Sequence, residues 1–299
     1  MMGSPIDPHR TPVMDSGEDG VRVVTCDLDF AVVEPSEIVL QVMASRPAGP
    51  VRTERFTAHS DGAALTDVTE LAGPNGARVQ VVPAPPGRLV LRYRGEIGPA
   101  PGRSGGPLRV DDGVEGSAAY ERLVYRRPSR YCPSDHLVGF AVAEFGIGAS
   151  VRHRVESITG WIRDRIGYVA GSSSVHDSAE DTLLTGMGTC RDFAHLGVAL
   201  CRAVGIPARF AAVYAPGLSP MDFHAVFETM DEEGRWYAHD ATDLAPRSSM
   251  VRIVTGRDAA DAAFASVDRG IAVLDGVTVT ATVGGGLPVG DPSALVQLP

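Results

Sequence analysis

Basic residues are in short supply: 27 Lys+Arg stand against 37 Asp+Glu, a formal net charge of −10, and they form no dense cluster. Binding a phosphate backbone requires concentrated cations, so nucleic acid is excluded as a partner. The densest basic spot, Arg126-Arg127-Pro128-Ser129-Arg130, reads as a solvated interdomain linker. Long apolar runs are also missing. No stretch reaches the roughly 18 uninterrupted apolar residues of a membrane helix, so no membrane association is expected. Residues 1–20, rich in Pro, Asp, Gly and Ser, lack the apolar run of a secretory signal and read as a disordered tail. Cysteine is scarce, with Cys26, Cys132, Cys190 and Cys201 showing no close pair. That argues against a disulfide framework, and a reducing cytoplasm is the expected location. There is no His-Glu-x-x-His or Cys-x-x-Cys motif and no calcium loop, so no metal is expected. Gly284-Gly285-Gly286 lacks the strand-to-helix setting of a phosphate loop, and no cofactor is expected either.

What is present is an ordinary globular composition, 44% apolar and 21% charged over 299 residues, enough for two modest cores. Strand-like runs occupy Val21–Val33, Ile38–Ala44, Arg52–Ala58, Thr66–Leu71, Arg78–Pro83 and Leu89–Ile97, punctuated by Gly, Pro and Asn. Short strands at that spacing predict a small β-sandwich or barrel. The Pro/Gly/Ser segment Gly98–Gly106 reads as a loop, and a domain boundary is expected near Arg126–Pro133. Beyond it, Asp135–Gly146 and Val151–Gly167 read as helices, the second with an apolar stripe of Ile158, Trp161, Ile162 and Ile166 and with Ser150 as N-cap. Asp258–Phe264 reads as a short helix and Val273–Val283 as an edge strand. The predicted class is α+β.

The chemistry concentrates at Cys190. Two glycines precede it, a helical pattern follows, and Gly205-Ile206-Pro207 ends that helix, which places Cys190 in the first turn. Unpaired N–H groups and the positive end of the helix dipole favour a thiolate there. Phe193, Gly197, Leu200 and Val204 share a stripe that would bury the helix. Cys201, eleven residues on, fits a buried structural cysteine.

Two strand-like runs, Asp222–Met230 and Trp236–Thr242, flank the turn-rich Asp231–Arg235 and read as a hairpin. A five-residue loop from Met230 to Gly234 would set His224 directly opposite Asp240, where the carboxylate can orient one imidazole nitrogen and leave the other for Cys190. Alternation turns His239 to the other face, as a surface or supporting histidine. Asp192 and His195, one turn along from Cys190, could shape the site. Ser172-Ser173-Ser174 and His176 lack a nucleophile elbow and read as a polar loop.

Gly188-Thr-Cys-Arg-Asp-Phe-Ala-His195, Gly205-Ile-Pro-Ala-Arg209, Asp222-Phe-His-Ala225 and Trp236-Tyr-Ala-His-Asp-Ala-Thr242, in that order, strongly resemble the transglutaminase-like superfamily, in particular its bacterial cysteine-protease-like branch. The likeness covers about Pro128 to Gly270. Thr189 departs from the commoner Asp or Val before the cysteine and suits a helix cap. The resemblance implies a papain-like transglutaminase core at 128–270, preceded by a small β-sandwich-like domain at 21–127 and followed by a strand and tail at 271–299. It implies Cys190 as nucleophile, His224 as general base and acid, and Asp240 as orienting carboxylate. The expected reaction forms a thioester from a peptide-like or small acyl substrate, resolved by water as in a protease or amidase, or by an amine as in a transglutaminase. An amide synthase fed by a carrier-bound thioester and a non-enzymatic binding domain are the rival expectations.

Overall fold

Within residues 22–97 several runs alternate buried and more exposed side chains with period two, and the backbone forms strands there. In the computed structural model, which describes residues 18–46, 48–99 and 117–298, this region forms β1 (Arg22–Val32), β2 (Ser36–Leu40), β3 (Val51–Ser60), β4 (Ala63–Ala64), β5 (Thr69–Ala72), β6 (Arg78–Ala84) and β7 (Gly87–Ile97). Every second residue of β1, from Val24 through Cys26, Leu28, Phe30 and Val32, is buried, as a half-buried strand requires. The expected tail lies outside the described residues except for Glu18–Gly20, as does the expected Gly98–Gly106 loop from residue 100 onward.

The helical half follows with α1 (Ser117–Val124), α2 (Val138–Phe145), α3 (Val151–Arg165), β8 (Gly167–Tyr168), α4 (Ala179–Thr185), β9 (Met187–Gly188) and α5 (Cys190–Ala203). After it come β10 (Ala208–Tyr214), β11 (Phe223–Met230), β12 (Trp236–His239), β13 (Val251–Gly256), β14 (Ala265–Arg269) and β15 (Ala272–Val283). Ser150 caps α3 as expected, its side chain accepting from the His153 N–H at 3.3 Å. The expected helix at Asp258–Phe264 is absent. Asp258 spends its carboxylate on the Tyr131 and Ala260 N–H groups, both at 2.9 Å, and this side-chain capture of the backbone makes a turn.

Among the described residues, three antiparallel sheets result, together with a short parallel pair of β8 and β9. The first runs β15-β1-β7-β3-β4 and the second β14-β2-β6-β5, so the last two strands return to pair with the first two. Inward residues of both sheets, among them Leu28, Leu91, Ile38 and Val82, share one apolar cluster in a sandwich-like arrangement. The third sheet runs β12-β11-β10-β13. Against it lies α5, buried on nearly all sides and backed by Val155, Ile158 and Ile162 of α3. Gly197 is what lets α5 approach β11: a Cβ there would lie 2.5 Å from the Phe227 ring. The fold is α+β, with a helix-and-sheet core and an N-terminal β-sandwich-like region.

The sandwich cluster continues into the third sheet through Phe210, Tyr214, Ala225, Val251 and Ile253. Polar ties follow the same seam. Tyr214 donates its hydroxyl proton to the Val42 carbonyl at 2.6 Å, and the buried Arg22 guanidinium donates to Ala48, Gly98 and Met250 carbonyls. No helix among the described residues is long and apolar enough to cross a membrane.

Candidate active site

Cys190 is the first residue of α5, and its turn is held by its neighbours in sequence. The Asp192 carboxylate accepts from the Thr189 N–H at 2.7 Å and the Thr189 hydroxyl at 2.9 Å, closing a capping box. Burial raises the Asp192 carboxyl, but bonds from Ser173 and Thr189 and the Arg191 charge bring it below the ordinary range. Arg191 contacts Asp192 at 3.3 Å and donates to the Ser174, Val175 and Asp177 carbonyls, fastening that serine-rich loop to the cysteine's turn. Cys190 is half-buried, whereas Cys26, Cys132 and Cys201 are buried, and burial is the leading cause that pushes each of those three thiols up to about 12.

His224 is the second residue of β11, paired with Val213 of β10, and its side chain is buried. Its Nε2–H donates to Asp240 Oδ2 at 2.9 Å. The other nitrogen, Nδ1, is buried without a hydrogen-bond partner within ordinary limits, and Cys190 is close enough to act on the ring. Burial alone would lower the imidazole. Asp240 and Cys190 more than offset it and raise His224 from 6.5 to about 10.

Asp240 follows β12 directly and is buried. Its second oxygen, Oδ1, accepts from the Thr242 N–H at 2.9 Å and the Thr242 hydroxyl at 2.6 Å. Burial raises the carboxyl, yet His224 and Thr242 together hold it below the usual carboxylate range. Both oxygens are committed, so its orientation is fixed.

The hairpin register differs from the expected one. Met230 pairs with Trp236 and Phe227 with His239, so the ladder continued by one step would set Asp240 opposite Val226, and His224 lies one diagonal step away on the same face. The cause is the turn. Asp231 accepts from the Arg235 N–H and Nε at 2.8 and 2.6 Å, Asp231 N–H bonds the Arg235 carbonyl, and Gly234 takes φ +83°, which sets the five-residue loop at 231–235 where 230–234 was expected. His239 faces the other way, its Nε2 2.8 Å from the Thr229 hydroxyl and its ring 5.2 Å from Phe227.

His195 is not part of the constellation. Its buried ring stacks on Tyr131 at 5.2 Å and accepts from the Ala259 N–H at 3.1 Å, and burial lowers it to about 3, so it stays neutral. Tyr168, by contrast, stands at Cys190 and was missed by sequence reasoning. The β8–β9 pairing sets it beside Gly188, its ring lies 5.9 Å from Phe193, and 45% of it is exposed. Burial and the Cys190 and Asp222 charges raise its phenol, against a hydrogen bond with the Cys190 main chain. A two-residue strand has no periodicity to read, so nothing in the sequence flagged it.

A family model described as the transglutaminase-like superfamily matches residues 144–241, a span that includes Cys190, His224 and Asp240. The crystal structure of a putative cysteine protease from Cytophaga hutchinsonii is 31% identical, with a TM-score of 0.77, over 92% of this chain and 95% of that one. An uncharacterised protein of Mycobacterium leprae, ML0607, is 29% identical over 147 residues, 46% of this chain and 52% of that protein. The chain thus spans about half the length of that curated relative. With a matched family model over the cysteine, histidine and aspartate motifs and a relative aligned nearly end to end, the chain belongs to the transglutaminase-like superfamily of thiol enzymes.

Proposed function

We propose that the protein is a thiol enzyme that cleaves or transfers acyl groups from peptide-like amides through a Cys190 thioester. The observation that carries this reading is the ordered chain of groups from the head of α5 to the end of β12: half-buried Cys190, the buried His224 ring, and Asp240 2.9 Å from its Nε2. In the first step Cys190 passes its thiol proton to His224, and Sγ bonds to the carbonyl carbon as the C=O π electrons move to the oxygen. The tetrahedral intermediate then expels the amine as His224 gives it a proton. The Cys190 N–H and the Tyr168 hydroxyl are the groups we assign to the oxyanion, since donors preset at the developing charge lower the barrier. In the second step His224 takes a proton from water or an amine, the new bond forms, and the C–S bond breaks. Asp240 keeps the imidazole in the working tautomer.

Hydrolysis is the favoured outcome because water is always present. The chain contains no lysine, its basic residues being arginine throughout, so it offers no side-chain amine to its own thioester. Four free cysteines support a reducing compartment such as the cytoplasm. The test is product analysis on a glutamine-containing or p-nitroanilide peptide, with and without a primary amine. Free acid that persists as amine rises supports hydrolysis. Quantitative diversion to the substituted amide establishes transfer, and turnover only from a thioester would replace this reading with the amide synthase.

A further inference from the structure

A hollow lies behind Asp240, on the side where α3 and the C-terminal segment meet the end of β12. It has a volume of about 400 Å³ and continues into a chamber of about 200 Å³ that shares its Arg152, Glu156, His239, Arg247, Pro292 and Ser293 lining. Neither part is lined by Cys190 or His224, so this is not the mouth of the thiol site.

Its charge is unusual. Arg163 and Arg247 both line it, and among the described residues neither has a carboxylate within ion-pair distance. Arg247 is anchored, donating to the Ala238, Asp291 and Pro292 carbonyls at 2.6, 2.8 and 2.9 Å. Arg163 makes one long bond, 3.4 Å to the Asp240 carbonyl, which leaves most of its five donors free. Burial is the leading cause that lowers Arg247; the charges of Asp240 and Asp243 oppose it, and repulsion from Arg163 adds to it. Arginine stays protonated even so, and an anion between the two guanidiniums would relieve that repulsion. Of the carboxylates in the lining, Glu156 is paired with Arg152 at 2.7 Å and Asp240 has both oxygens bonded, which leaves the exposed Asp243 against two arginines. Gly160, inside α3, adds room: a Cβ there would meet nothing within 4 Å, so the helix backbone stands open at this wall. Glycine inside a helix sacrifices stability that alanine would supply.

We infer that this hollow binds a small ligand through an oxyanion group, a carboxylate or a phosphate, gripped by Arg163 and Arg247. The guanidinium fork matches either group in two-point geometry. Arg163 also donates to the Asp240 main chain and Arg247 to Ala238, so occupancy acts on the strand end that carries the aspartate.

The test is calorimetric titration of the full chain with inorganic phosphate and, separately, with succinate, at constant ionic strength so that screening is equal. One of the two should bind saturably at one site per chain, and which one does identifies the group. Arg163→Gln should weaken that binding at least tenfold. Gly160→Leu, which fills the hollow without touching a charge, should abolish it while the melting temperature holds. Should Arg163→Gln fail to fold, Gly160→Leu decides. Absence of binding by both anions, or binding that survives the variants, overturns the inference. Cys190→Ala should bind as the wild type does, so failure here and failure of the thiol reading are separate outcomes.

Discussion

At the scale of single residues, the state of His224 is the most exposed part of the account. Its imidazole is held to about 10 against an ordinary 6.5 because Asp240 and Cys190 outweigh burial. A group raised on folding contributes stability that is complete below 6.5 and is lost as pH climbs through about 10. Turnover that needs the imidazolium to protonate a leaving amine should therefore persist through neutrality and decline as pH passes about 10. Asp240→Asn removes a leading raising cause, so burial should dominate and bring that alkaline limb down towards the ordinary imidazole range or below. The same variant should lose roughly 10²-fold or more in rate, within the span that positioned proton transfer contributes, and still exceed Cys190→Ala. A pH–rate profile of both proteins checks this, and an unmoved limb in the variant would remove Asp240 from its assigned role. The residues of the proposed relay could be picked out in the sequence because cysteine before a helix and paired polar residues across a hairpin are local signals. Tyr168 was not, because only the pairing of two distant dipeptides brings it to Cys190.

At the scale of elements, α5 has two jobs: its first turn presents Cys190, and its flank packs on β11. Gly197 makes the second possible, and Gly197→Ala would drive a methyl to 2.5 Å from Phe227 in a close-packed interior. Overpacking of this kind costs about 1–3 kcal/mol. Urea unfolding should show a lower midpoint with an unchanged slope, and a midpoint at or above the wild-type value would contradict the packing account. The sandwich strands were readable because alternation has only one face to bury, as β1 shows from Val24 to Val32. The hairpin was readable as a hairpin, but its register depended on how Asp231 captures Arg235. The slip was by two, and period-two alternation returns every side chain to the same face, so His224 and Asp240 still meet. Helix α4 went unread because seven residues carry too little periodicity, although Ser178 and Asp181 mark its start with a capping box.

At the scale of the whole molecule, one apolar cluster runs from the sandwich strands into β10, β11 and β13, and β14 and β15 pair back onto β2 and β1. That continuity was not legible: the composition change near residue 126 signals a boundary, whereas which strands return to which sheet is decided by contacts far apart in sequence. A shared core predicts a single cooperative thermal transition with calorimetric and van't Hoff enthalpies equal, and two resolved transitions would show that the halves unfold independently. The intact chain is also where the central claim is tested most directly, by mass spectrometry after brief exposure to an activated acyl ester. The account predicts one acyl group per chain, mapped by peptide digestion to Cys190, released by hydroxylamine, and absent in Cys190→Ala. Acylation at Cys26, Cys132 or Cys201 instead, or an equal yield in Cys190→Ala, would contradict it.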